Sequence, residues 1–416
     1  MNKVTTKRMS APNEGVSTPS GFKNSDVGII PEDWNVTSVG DISEFANGKP
    51  YERFVIPDGA YLLITLDSIG IDGKLKREHK RVGFNDGSLR KNDVVIILSD
   101  IAHGNLLGLC DLVPEDNRYV LNQRVGRLRI TDGTHPNYLR LQINSHQHHF
   151  KQRGQGTSQR HIYKRDISVL QLPLPSKEEQ RDISAALSSA DRLIGALDKL
   201  IAKKRDIRRG TMQALLTGRT RLTGFDSDWS VRRLSDVANI VMGQSPSSIS
   251  YNSSRQGLPL VQGNADIKNR VTVDRIWTTQ ITKRCSAGDL ILTVRAPVGA
   301  VARARHDSCI GRGVCAIQPR ISPDYLFHAL VLSEPRWMKL EQGSTFTAAN
   351  SSQVQQFEVH VPDDKDEQTA IGELLSHMDE EIAALEQRMK KSKNIKQGMM
   401  QQLLTGRTRL MQEAPQ

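Results

Sequence analysis

The chain has 416 residues, 37% hydrophobic and 25% charged, with Lys+Arg 57 against Asp+Glu 46, a formal net charge of +11 and a pI near 9.5. That is enough chain for two domains with real cores, and the basic balance points to a polyanionic partner, nucleic acid before acidic membrane. No run of 18 apolar residues is present, so no membrane-spanning helix is expected, and the first residues lack the apolar stretch of a signal peptide.

Residues 1–24 are polar and rich in Ser, Thr and Pro, and read as a disordered tail. The four cysteines, Cys110, Cys285, Cys309 and Cys315, lack CxxC spacing; they read as reduced thiols of a cytoplasmic protein, without zinc. Beyond the tail the chain is written twice. Gly210–Leu222 (GTMQALLTGRTRL) returns as Gly398–Leu410 (GMMQQLLTGRTRL), a shift of 188 positions. A period this long marks a duplicated domain, not a stacked repeat.

Each copy opens alike. Asp33-Trp34 corresponds to Asp228-Trp229, and Val39–Pro50 to Leu234–Pro246; a short amphipathic helix is expected before a Gly-polar-Pro loop, with both tryptophans as core anchors. Strand-like runs come after it at 60–66, 93–99 and 119–130, and again at 258–263, 289–295 and 309–319, separated by turns instead of the long helices of a parallel array. Helical stretches come next at 136–150 and 323–341, each ending in a Gly-polar loop, RGQGTSQRHIY or QGSTFTAANSS. The spacing predicts two α+β domains, 25–175 and 223–362.

The helices between and after them, within 176–222 and 363–416, are the most regular segments. Ser176 with Glu179 and Asp364 with Glu367 form capping boxes. Apolar residues recur at Ile183, Leu187, Ala190, Ile194, Leu197 and Ile201, and 188 positions later at Ile371, Leu375, Met378, Ile382, Leu385 and Met389, a heptad seam in both copies. A helix over 177–216 would be roughly 60 Å long, closed by Gly218 as its counterpart is by Gly406. Two such helices would pair antiparallel and hold two similar heads apart.

The chemistry of catalysis is missing. There is no phosphate-cradling GxxxxGK[ST] and no GxGxxG after a strand. His146, His148 and His149 do not share one helix face, so no metal site is expected.

Two α+β heads, each followed by a heptad helix ending LLTGRTRL, resemble the specificity (S) subunit of type I restriction-modification systems. The resemblance spans Gly28 to Leu410. It is carried by the helix ends, the Asp-Trp pairs, the GQSP loop at 243–246 and Gly-Arg-Gly-Val at 311–314. The first head departs from it, with Gly48-Lys49-Pro50 and Asn122-Gln123-Arg124-Val125 at the corresponding places. It implies a non-catalytic chain that binds double-stranded DNA, each head reading half of a bipartite asymmetric site. Two modification subunits would methylate adenine with S-adenosylmethionine, and two restriction subunits would use ATP and Mg2+.

On that resemblance, the DNA-binding candidates are Lys49, Tyr51, Arg53, Gln155, Thr157, Ser158, Gln159 and Arg160 in the first head. In the second they are Gln244, Ser245, Ser247, Tyr251, Asn252, Ser344, Thr345, Asn350 and Ser351. Leu215, Leu216, Leu403 and Leu404 lie outside the seam and are candidates for docking partner subunits. The basic runs KKRDIRRG (203–210) and KKSKNIKQG (390–398) either offset the helix dipoles or face DNA or a partner. A different reading keeps the architecture as a coiled-coil protein scaffold whose heads do not read DNA.

Overall fold

The computed structural model describes residues 18–101, 104–337 and 348–410. The chain forms two compact units: Met1–Gly195 with Lys390–Gln416, and Ala196–Met389. Each contains one α+β domain, so the expected fold class holds. The long helices, Lys177–Leu216 and Lys365–Leu403, are each shared between the units. Among the described residues, no helix is long and apolar enough to cross a membrane.

In the first unit an antiparallel sheet orders Ser43–Asn47, Val125–Ile130, Val94–Ile97 and Cys110–Leu112. A second sheet sets Tyr61–Ile64 between Tyr119–Leu121 and Lys80–Val82. The run at 119–130 is therefore two strands, divided at Asn122–Arg124. The second unit repeats the plan: Ala238–Met242, Val314–Pro319 and Leu290–Thr293 are neighbours in one sheet, with Leu258–Val261 and Ser308–Ile310 paired in parallel in another. The helices expected after each opening segment are only four residues long, Val39–Ile42 and Leu234–Val237. Residues 43–47 and 238–242, directly after them, form strands because the antiparallel partner at 125–130 or 314–319 takes their backbone groups. Of the expected tail, residues 1–17 lie outside the described residues, and Phe22–Ser25 is a strand paired with Gly28–Pro31.

Within each unit the two helix portions run antiparallel. In the first, Glu179 meets Arg409 and Asp191 meets Lys396; in the second, Lys204 meets Glu381 and Arg208 meets Asp379. The seam is buried at Ile183, Leu187, Leu197, Ile201, Ile371, Leu375 and Ile382, and half-buried at Ile194, Leu385 and Met389. Its start packs on the domain as well as on the partner helix: Ile183 and Leu187 share a core with Trp34 and Tyr138, and Ile371 and Leu375 share one with Tyr325.

The leucines expected to dock partners are instead interior. Leu215 and Leu216 are each 4% exposed, in the second unit's core; Leu403 and Leu404, at 4% and 2%, lie in the first unit's core. Each helix end thus completes the domain of the other repeat, which removes these side chains from any docking surface. The basic runs are engaged in part: Lys204, Arg205 and Arg208 pair with Glu381, Glu386 and Asp379, and Lys396 pairs with Asp191, while Lys390, Lys391 and Lys393 are exposed.

Candidate nucleic-acid interface

The polar loops of the first domain are held together by backbone. Where Ser43–Asn47 leaves the sheet, the Gly48 amide donates to Val125 O (3.1 Å) and Lys49 O accepts from the Gln123 amide (2.8 Å). A Cβ on Gly48 would lie 2.0 Å from Asn122 O, so only glycine permits this approach. Asn122 Oδ1 then accepts from the Tyr51 amide at 3.0 Å. The facing turn, Asn122 to Val125, carries Arg124 at φ +70°. Leu98 joins it to the other loop: its amide donates to Arg124 O and its carbonyl accepts from the Ile162 amide, both at 2.9 Å. Gln159–His161 pairs beside it with Ser99–Ile101, and Ser99 Oγ meets His161 Nδ1 at 2.6 Å.

The second domain builds the same chain of contacts. The Gly243 amide donates to Val314 O (3.0 Å), and a Cβ there would lie 2.1 Å from Gly311 O. Ser245 Oγ accepts from the Arg312 amide at 3.1 Å. Val294 takes the place of Leu98, donating to Gly313 O (2.9 Å) and accepting from the Ala349 amide (2.8 Å). Loops far apart in sequence therefore converge at one end of each domain.

The candidates divide by what their polar atoms do. Lys49, Arg53, Gln155, Thr157, Ser158 and Gln244 are exposed and Gln159 half-buried, and none of their side chains has a hydrogen-bond partner among the described residues. Arg53 lies over the Phe54 ring at 4.8 Å. Tyr51 packs edge-on against Phe84 at 4.9 Å; burial, and then Asp86, raise its phenol pKa. Ser247 and Ser351 are exposed, but Ser351 Oγ accepts from Gln355 Nε2.

Others are spent on the loops themselves. Arg160 Nη2 donates to Gly154 O at 2.7 Å, and Tyr251 Oη donates to Pro246 O at 3.2 Å. Asn252 holds its own turn through Gln256, and Asn350 caps the helix Ser351–Gln355 by accepting from the Gln353 amide at 2.9 Å. These four side chains hold the loops in shape. Ser344 and Thr345 lie outside the described residues.

The exposed arginines Arg124 and Arg312, and Gln123 beside the first of them, are central to the loops yet absent from the sequence-based candidates. Arg312 lies in the stretch that carries the family resemblance, and Gln123 and Arg124 lie where the first head departs from it; both stretches read as framework from sequence alone. Among the described residues no group of His, Cys, Asp and Glu could hold a metal. His146 Nδ1 bonds Gln142 O and His149 Nε2 bonds Asp166 O instead. The four cysteines are buried and unpaired.

The family model described as "Type I restriction modification DNA specificity domain" matches residues 31–203 and 226–397. A Methanocaldococcus jannaschii protein, provisionally named the type I restriction enzyme MjaX specificity subunit, is 27% identical over 94% of this chain and 97% of its own. The MjaVIII specificity subunit of the same organism is 25% identical over 52% of this chain and 51% of its own. The fold matches the crystal structure of the type I restriction-modification S subunit of M. genitalium with a TM-score of 0.65, at 14% identity over 94% of this chain and 98% of that one. It also matches, with a TM-score of 0.58 and 24% identity, a chain from a study of complex assembly and conformational transition of the type I R-M system, covering 91% of this chain and 99% of that one.

Proposed function

The chain belongs to the type I restriction-modification DNA specificity family, one specificity domain in each half, and from that membership we propose that each domain reads one half of a bipartite, asymmetric DNA site. The observation that supports this most is the twice-built convergence of polar loops, with Lys49, Arg53 and Arg124 free for DNA in one domain and Arg312 and Gln244 in the other. Such loops offer base-edge donors and acceptors, with cations for phosphates. The scaffold alternative is not favoured by the family match.

Partner subunits carry the chemistry. Two modification subunits methylate adenine with S-adenosylmethionine, and two restriction subunits use ATP and Mg2+; this chain contributes no catalytic group, and the assembly works in the cytoplasm. The two long helices set the gap between half-sites.

The test is a genome-wide map of methylated adenines in cells that carry the partner subunits, with and without this gene. A split motif of fixed gap that disappears on deletion supports the reading. An unchanged methylation map contradicts it.

A further inference from the structure

We infer that the turn residue at the centre of each loop cluster, Gln123 in the first domain and Arg312 in the second, reads one base pair, adenine and guanine respectively. The inference rests on the DNA-reading function proposed above and adds to it the residues and the bases.

Gln123 is fixed twice. Its amide nitrogen donates to Lys49 O at 2.8 Å, and its side-chain Nε2 donates to Glu52 Oε2 at 2.7 Å. A carboxylate only accepts, so the amide group cannot be flipped: nitrogen faces Glu52. Glu52 is itself fixed, because its other oxygen accepts from Asn122 Nδ2 at 2.9 Å. That leaves Gln123 with Oε1 and one Nε2 hydrogen uncommitted, an acceptor and a donor in one amide plane. This is the pattern that pairs with adenine in the major groove, Oε1 accepting from N6–H and Nε2 donating to N7. Ordering the side chain before DNA arrives also removes part of the entropy cost of binding it.

Arg312 occupies the corresponding turn, between Gly311 and Gly313. Its amide is anchored as Gln123's is, here on Ser245 Oγ at 3.1 Å. Its guanidinium is exposed and has no partner among the described residues. A planar fork of donors suits guanine O6 and N7. One fold position thus carries two different side chains, as an asymmetric site requires.

The test uses the full chain assembled with its modification subunits. Methylated adenines are mapped for wild type, Gln123→Ala, Glu52→Ala and Arg312→Ala. Gln123→Ala relaxes a single A·T position of the first half-site by roughly tenfold or more in discrimination and leaves the second unchanged. Glu52→Ala weakens the same position, and Arg312→Ala relaxes one G·C position of the second half-site only. Unchanged stringency, or relaxation at another base or in the opposite half-site, overturns the inference while the split wild-type motif keeps the general reading intact. Absence of any split motif in wild type instead sinks that reading, and this inference with it. Should Gln123→Ala abolish methylation altogether, binding of wild type to duplexes carrying 7-deazaadenine, which lacks N7, decides. Loss of about tenfold at one adenine of the first half-site is expected, and no loss at any adenine overturns the inference.

Discussion

Arg409 Nη2 donates to Glu179 Oε2 at 2.8 Å, although 230 positions separate the two residues. The same guanidinium reaches Asp33 (2.9 Å) and lies over the Trp34 ring at 5.8 Å. In the other unit Arg221 meets Glu367 (2.6 and 2.7 Å) over Trp229 at 5.6 Å. Arg221 and Arg409 are equivalent in the repeat, as are Glu179 and Glu367, so each terminal arginine closes on the acidic residue of the other repeat.

One-sided removal of such a pair strands a buried carboxylate. Arg409→Ala is predicted to cost the first unit about 2–4 kcal/mol, below the ~3–5 kcal/mol of a fully buried pair because Arg409 is partly exposed. Arg221→Ala is predicted to cost the second unit more, since the Glu367 side chain is fully buried. Urea denaturation of the full chain, followed by tryptophan fluorescence, checks both. Pairing Arg409→Leu with Glu179→Gln should recover part of the loss.

Gly48 and Gly243 are predicted to be intolerant of alanine, because the added Cβ would enter the carbonyl of Asn122 or Gly311. Relieving that overlap moves the loop, at roughly 1–3 kcal/mol to the domain that carries it. The expected readout is blurred recognition of one half-site, the first for Gly48→Ala and the second for Gly243→Ala. A methylation map of each variant shows which.

His328 gives a pH dependence to the second unit. Arg208 Nη2 donates to its Nδ1 (3.4 Å), so the imidazole proton sits on Nε2, 3.0 Å from Ser376 Oγ. Burial first, then Arg208 and Arg303, push its pKa down to about 3 from 6.5. As pH falls between those values the unfolded chain takes a proton that the folded chain refuses, so stability is lost, by up to about 1.4 kcal/mol per pH unit. His328→Gln, which does not titrate, should show a flatter dependence of its urea midpoint below about pH 6.

Much of the fold is legible in the residues. The heptad seam, and the cap at Ser176, locate the first long helix, and Gly218 and Gly406 take φ +69° and +70° where a closing glycine is expected. Tertiary partners account for the misses. The Ser176 hydroxyl caps the Glu179 amide, but the Glu179 carboxylate leaves the capping box for Trp34 Nε1 and Arg409. Leu215 and Leu403 look free when the seam is counted within one helix; the domain of the other repeat covers them. Gln123 escapes notice because its role depends on a backbone approach and a Glu52 contact that no local pattern announces.

The central claim is that the two domains read separately. Its most direct test replaces Gln155–Arg160 with alanines in the full chain, expresses it with its partner subunits, and maps methylated adenines. A change confined to one half-site, with the other half and the gap preserved, is the predicted result. Uniform weakening at both half-sites, or an unaltered motif, would contradict it.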